Sequence, residues 1–180
     1  DDDGPSIQSN LINTSASLIV DESNLSVDAS ADFSTNFLPA IAFGNDGAGN
    51  VSYQLLLSGS NIASGLYAID ASDTLNTDGD GIGQGLEIVL NISGNVVTGS
   101  QGGTDYFTLS LNANTGELSF NQLTSVWHPD TADLNDRVGL STAVASQLQI
   151  QATVIDADGD SVSDRIDLGQ GVFFIDDDGP

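Results

Sequence analysis

The chain has 180 residues and sets 26 acidic side chains against two basic ones, Arg137 and Arg165, for a formal net charge of −24. With no basic patch to neutralise phosphate, nucleic acid is excluded as a partner and an anionic membrane surface is disfavoured. The absence of cysteine excludes a disulfide framework and a thiolate metal site, and no apolar run approaches the ~20 residues of a membrane-spanning helix.

A hydrophobic fraction of 39% is that of a packed domain, and a chain this long can bury about 70% of its unfolded surface. Such a charge on a packed body means strong self-repulsion, which divalent cations would relieve. The first five residues, Asp1-Asp2-Asp3-Gly4-Pro5, recur as Asp176-Asp177-Asp178-Gly179-Pro180. A pentapeptide repeated in this way reads as the junction of a tandem array, whose carboxylates need a solvated position or a hard cation; an acidic, flexible linker is the alternative. The repeat divides the chain into a junction at 1–5, a single domain at 6–175 and a second junction at 176–180.

In chain order, Leu18-Ile19-Val20 ends the first strand and meets the acidic turn Asp21-Glu22-Ser23-Asn24. Leu25, Val27 and Ala29 alternate with polar residues, which predicts a half-buried strand. The apolar run 37–43 contains Pro39 and predicts an edge strand or an irregular approach to one. A Gly/Asn turn follows at 44–50, then strands at 51–57 and 65–69. Leu86, Ile88, Leu90 and Ile92 alternate cleanly and turn at 93–95 into a hairpin with 96–98. A second hairpin joins 106–111 to 118–120. Residues 121–146 are the least strand-like, and 133–145 could hold a turn or two of helix. Leu148, Ile150, Ala152 and Val154 alternate again, followed by strands at 162–168 and 172–175. Many short strands with Gly/Asn/Asp turns predict an all-β fold, a β-sandwich of the immunoglobulin or cadherin kind with calcium-binding turns and termini.

The carboxylates supply the candidate site residues. Asp156, Asp158 and Asp160 alternate on a tight turn and could converge on Ca²⁺, which takes six to eight oxygens; a plain acidic turn is the alternative. Asn76, Asp78, Asp80 and Gly81, with Glu87 at the twelfth place, follow calcium-loop spacing without flanking helices. Here the choice lies between a calcium loop on a β scaffold and a solvated, Gly-rich loop. In a sandwich, Asp21 and Glu22 should lie at the end where the last strand delivers Asp176, Asp177 and Asp178; an ordinary polar turn is the alternative. The turn 156–160 should lie near Asp1, Asp2 and Asp3. Each junction would then combine a linker with a domain turn. Trp127 reads as a core anchor rather than a sugar platform. The single histidine, His128, has no nucleophile arranged beside it, so an enzyme is not expected.

The junctions, Val20-Asp21-Glu22-Ser23, Trp127-His128-Pro129 and Val154-Ile155-Asp156-Ala157-Asp158-Gly159-Asp160-Ser161 occur in an order that resembles the large tandem-repeat domain of bacterial RTX adhesins. These are giant surface proteins exported by type I secretion. The resemblance implies an extracellular, calcium-rich β-sandwich at the bacterial cell surface, strung in series with neighbouring repeats of the same chain. Residues 70–85 look like additional material, where a carbohydrate or protein ligand could be bound instead.

Overall fold

The computed structural model describes residues 3–14 and 16–178. Among these, fourteen strands, a single α-helical turn, α1 (Ser34–Phe37), and four short 3-10 turns build an all-β sandwich, the class the strand pattern predicts. A six-stranded sheet carries β3 (Ala29–Asp32), β6 (Ile62–Ile69), β7 (Gln84–Ser93), β8 (Val96–Gln101), β9 (Thr104–Leu111) and β10 (Glu117–Gln122), in the order β3-β10-β9-β8-β7-β6. Its β7–β8 and β9–β10 hairpins are those expected, with Ile88, Leu90, Val97, Phe107, Leu109, Leu118 and Phe120 all buried, and a β8–β9 hairpin not expected from the sequence joins them.

The rest of the chain organises around one long interrupted hairpin. Its first arm is β11 (Arg137–Ser141) and β12 (Leu148–Asp156), and its second is β13 (Ser161–Asp167) and β14 (Gln170–Asp176). β12 pairs with β13 from Ile155↔Ser161 to Gln149↔Asp167, and β11 pairs with β14 from Ser141↔Gln170 to Arg137↔Asp176. Bonds from Leu168 N–H to Leu148 O (2.7 Å), Gly169 N–H to Ala145 O (3.0 Å) and Thr142 N–H to Gly169 O (2.8 Å) stitch the two halves together. The closed end is therefore the turn 156–160, and the open end holds Arg137 and Asp176.

The amino-terminal segment runs beside this hairpin for its whole length. Gly4 lies against Asp160 at the closed end, and Ser9 Oγ bonds to Asp164 further along. β1 (Ser6–Ile7) pairs with β4 (Ile41–Ala42), and β2 (Leu18–Asp21) pairs in parallel with β14, matching Asp21 to Asp176. β5 (Ala48–Leu57) completes the closed end by pairing with β12. The chain thus enters at the closed end and leaves at the open one.

Both faces meet in one core. Phe120 of β10 packs edge-on against Phe107 of β9 (5.7 Å between centroids) and Phe173 of β14 (5.4 Å), joining the six-stranded sheet to the hairpin. Such pairs contribute about 0.5–1.5 kcal/mol each beyond the area they bury.

Two expectations are corrected. The strand expected from Leu25 begins only at Ala29. Asn24 Oδ1 accepts from both the N–H and the hydroxyl of Ser26, and Val27 N–H donates to Asn24 O, so 25–27 is a turn and Val27 is exposed. The helix considered within 133–145 is instead the strand β11, preceded by turns. Pairing with β14 overrides the weak local pattern there, since tertiary contacts outweigh propensity over so short a stretch.

Candidate metal centres at the two ends of the sandwich

Among the described residues, three groups of side chains bring ligand atoms within 4.8 Å of one another: Asp46–Asp156–Asp158, Asp73–Asp78–Asp80 and Glu22–His128–Asp177.

The first lies at the closed end. Along β12 the residues alternate between buried and half-buried, and Asp156 falls on the inward phase after Leu148, Ile150, Ala152 and Val154. Only 3% of it is exposed. Its Oδ1 accepts from the N–H groups of Gly159 (3.0 Å) and Asp160 (2.8 Å), an arrangement that the positive φ of Gly159 permits. Its Oδ2 is buried with no hydrogen-bond partner. Burial alone would push the Asp156 carboxyl up, but its interaction with the adjacent Asp158 side chain and the backbone N–H groups of Asp160, Gly159 and Asp158 outweigh it and hold the pKa below the usual value. Asp46 reaches the group because β5 starts opposite Asp156, with Ala48 its partner. Asp3 N–H donates to Asp46 Oδ2 at 3.3 Å, so the junction residue sits at this cluster as the sequence predicts. Asp1 and Asp2 lie outside the described residues. Asp160, expected as a ligand here, is not in the group; its Oδ2 lies against Gly4. A buried anionic oxygen without a partner fits a hard cation shared with Asp46 and Asp158.

The second group lies in the loop between β6 and β7. Asp78 and Asp80 are joined by Asp73. The Asp80 carboxyl is pushed up, first by a hydrogen bond shared with Asp78 and then by burial and the charges of Asp78 and Asp73. Glu87, at the twelfth place of the calcium-loop spacing, is on β7, where it accepts from Gly65 N–H at 2.9 Å. The loop is held from below by Trp127, whose Nε1–H donates to Ile82 O (2.9 Å) and whose ring meets Tyr67 edge-on. A Cβ on Gly81 would stand 2.5 Å from that ring, so only glycine permits the approach. Trp127 is therefore not the core anchor expected: it is half-buried, outside the hydrophobic core, and holds a loop.

The third group lies at the open end. Asp21 Oδ1 accepts from the N–H (2.8 Å) and hydroxyl (2.5 Å) of Ser23; these bonds lower its pKa and start the turn that carries Glu22 inward. Glu22 Oε1 accepts from Val126 N–H (2.8 Å) and Gln122 Nε2 (2.6 Å). His128 Nε2 stands 3.7 Å from the same oxygen, with 6% of the His128 side chain and 4% of the Glu22 side chain exposed. Burial pushes the imidazole pKa down, but Glu22, Asp177 and Asp136 outweigh it and the pKa is raised. Asp177 is fixed through its N–H, which donates to Asp136 O at 2.9 Å. Asp178 follows it, exposed, with its N–H on Asp177 Oδ1.

Asp176 departs from the reading of a free junction carboxylate. The last strand runs through it, and both its oxygens are taken by Arg137, at 2.6 and 2.8 Å. The expected pairing of ends does appear: Asp21 and Glu22 lie with Asp176 and Asp177, and the turn 156–160 lies with Asp3 and Gly4.

Sequence reasoning missed Asp46, Asp73 and His128 as members of these groups. Asp46 was visible only as a turn residue, since its approach to Asp156 depends on the register of β5 against β12. The presence of a carboxylate and a histidine with adjacent buried partners in the same cavity has no local signal.

The molecule is thus an all-β sandwich that gathers carboxylates at its two ends and in one loop. It belongs to the family described as a domain of unknown function (DUF5801), which matches residues 17–169. No curated protein and no solved structure matches the chain. The matched span includes Glu22, the loop at 73–80 and the turn at 156–160, and stops short of Asp177.

Proposed function

We propose that this domain is a calcium-stabilised extender module of a giant bacterial surface adhesin of the RTX type, working outside the cell. It would project adhesive domains for cell adhesion and biofilm formation, and it has no catalytic role. The observation that carries the reading is the position of the acidic groups relative to the path of the chain. Asp3 meets Asp46, beside Asp156 and Asp158, at one end of the long hairpin, and Asp177 and Asp178 leave from the other. An ion at either end would lie where a neighbouring repeat begins. Asp46, Asp156 and Asp158 would hold calcium, whose charge offsets their repulsion and satisfies Asp156 Oδ2. The alternative, a carbohydrate- or peptide-binding module built on residues 70–85, draws less support, because Trp127 is used to hold that loop.

The test is melting with and without calcium. An ion bound only by the folded state adds about 2.7 kcal/mol per site at a hundredfold excess over its Kd. That corresponds to roughly 5–10 °C for a domain of this size. Magnesium should do less, because it keeps its waters and demands octahedral geometry. Asp46→Asn with Asp158→Asn should reduce the calcium shift and leave the fold intact at high calcium. Identical melting curves in EDTA and in millimolar calcium would remove the reading.

A further inference from the structure

We propose that Glu22, His128 and Asp177 form a site for a zinc-class divalent transition metal, chemically distinct from the all-oxygen groups and placed to fasten the exiting chain to the sandwich. Both ring nitrogens of His128 are buried and neither has a hydrogen-bond partner. An imidazole always presents at least one N–H, so leaving both nitrogens unpaired in a buried position is costly. Glu22 Oε1, 3.7 Å from Nε2, is within ion-pair range of a protonated ring but too far for a hydrogen bond. Two ligands of a tetrahedral ion with ~2.1 Å bonds are separated by about 3.4 Å, close to that gap.

Asp177 supplies a third ligand atom, and all three lie within 4.8 Å of one another. They line a cavity of about 390 Å³ that also touches Trp127 and Thr131 and has room for water to complete the coordination. The donor set selects the metal. Calcium takes oxygen ligands, whereas an imidazole nitrogen beside two carboxylates suits zinc and its neighbours. The other two groups offer carboxylate oxygens alone, so the protein would sort two kinds of cation to different places. The backbone at the exit is already held at two points, by Arg137 on Asp176 and by Asp136 O on Asp177 N–H. A metal on the Asp177 carboxylate adds a third point and fixes the side chain of the first junction residue beyond the last strand.

The experiment uses the full chain in a large excess of calcium, titrated with zinc chloride by calorimetry and with cobalt chloride by absorption. One saturable zinc site is expected in addition to any calcium sites. Cobalt should show the ligand-field bands of a nitrogen- and oxygen-ligated ion, quench Trp127 fluorescence, and be displaced by zinc. His128→Gln should abolish the bands, and Asp177→Asn should weaken zinc binding by roughly tenfold or more. His128→Gln, which removes no carboxylate, should keep the wild-type response of melting temperature to calcium, so the outcome is independent of the proposed extender role. Absence of saturable zinc binding under excess calcium would mean that His128 is only a buried partner of Glu22, and would overturn the proposal. Undiminished zinc binding in His128→Gln would overturn it too. Should that variant fail to fold, Asp177→Asn, altered on the exiting strap, decides alone: wild-type zinc affinity there also refutes the site.

Discussion

Asp156 shows how one side chain can be both a fold element and a candidate ligand. The same alternation that buries Val154 buries Asp156, and the carboxylate answers by capping its own turn with Oδ1. Because its folded pKa is lowered, it binds protons less readily in the folded state than in the unfolded one. Its stabilising contribution is present above the unfolded value, near 3.8, and is lost as pH falls through the lower folded value. In EDTA, the wild-type domain should therefore lose stability on acidification below about pH 4. Asp156→Asn keeps an oxygen for the two N–H groups but cannot be protonated in that range, so its acid limb should be shallower. Parallel limbs for the two proteins in acid-dependent melting would show that the turn, and not the charge, is what matters. Asp156 was legible as an acidic turn residue, and its burial follows from the period-2 pattern of the strand before it. What the sequence could not show is that Oδ2 is left without a partner, since that depends on where Asp46 and Asp158 come to lie.

Among the elements, the β6–β7 loop depends most on a contact distant in sequence. Its carboxylates crowd one another, which favours an open, solvated loop, and Trp127 opposes this by bonding Ile82 O and packing over Gly81. Gly81→Ala places a methyl group 2.5 to 2.9 Å from the indole ring, so either the loop or the ring must move. Overpacking of this kind costs about 1–3 kcal/mol. The expected result is red-shifted Trp127 fluorescence and faster proteolysis within 70–83, with the sandwich otherwise intact. Unchanged fluorescence and cleavage would mean that the loop is held by its own turns. The strands themselves were legible because most carry a clean alternation over six or more residues. β11 was not: its five residues have the buried Leu140 and little else, and it exists because β14 lies beside it.

For the molecule as a whole, the deciding feature is that the chain enters and leaves at opposite ends of one long hairpin, with carboxylates at both. The recurrence of the acidic pentapeptide made the two junctions readable in the sequence, and sandwich topology placed a domain turn beside each. The role of Arg137 was not readable, because its register opposite Asp176 is a product of the folded sheet. That register changes which residues can act at the joint. Asp176 belongs to the domain through its bidentate pair with Arg137, so replacing it would damage the sandwich as well as the joint. Asp177 and Asp178 are the first carboxylates beyond the last strand. A protein of two tandem copies, joined through 176–180, should be extended and stiff in calcium and more broadly bent in EDTA. The second copy brings Asp3, Asp46, Asp156 and Asp158 to the exit of the first, and unscreened repulsion there favours many splayed orientations over one. Small-angle scattering should show the distribution of maximum dimensions narrowing as calcium is added. Asp177→Ser with Asp178→Ser should abolish the narrowing while each copy keeps its own melting transition and Arg137 keeps Asp176. A profile indifferent to calcium in the unsubstituted tandem would reduce the pentapeptide to a solvated linker, and stiffness would then have to come from contacts between the copies themselves.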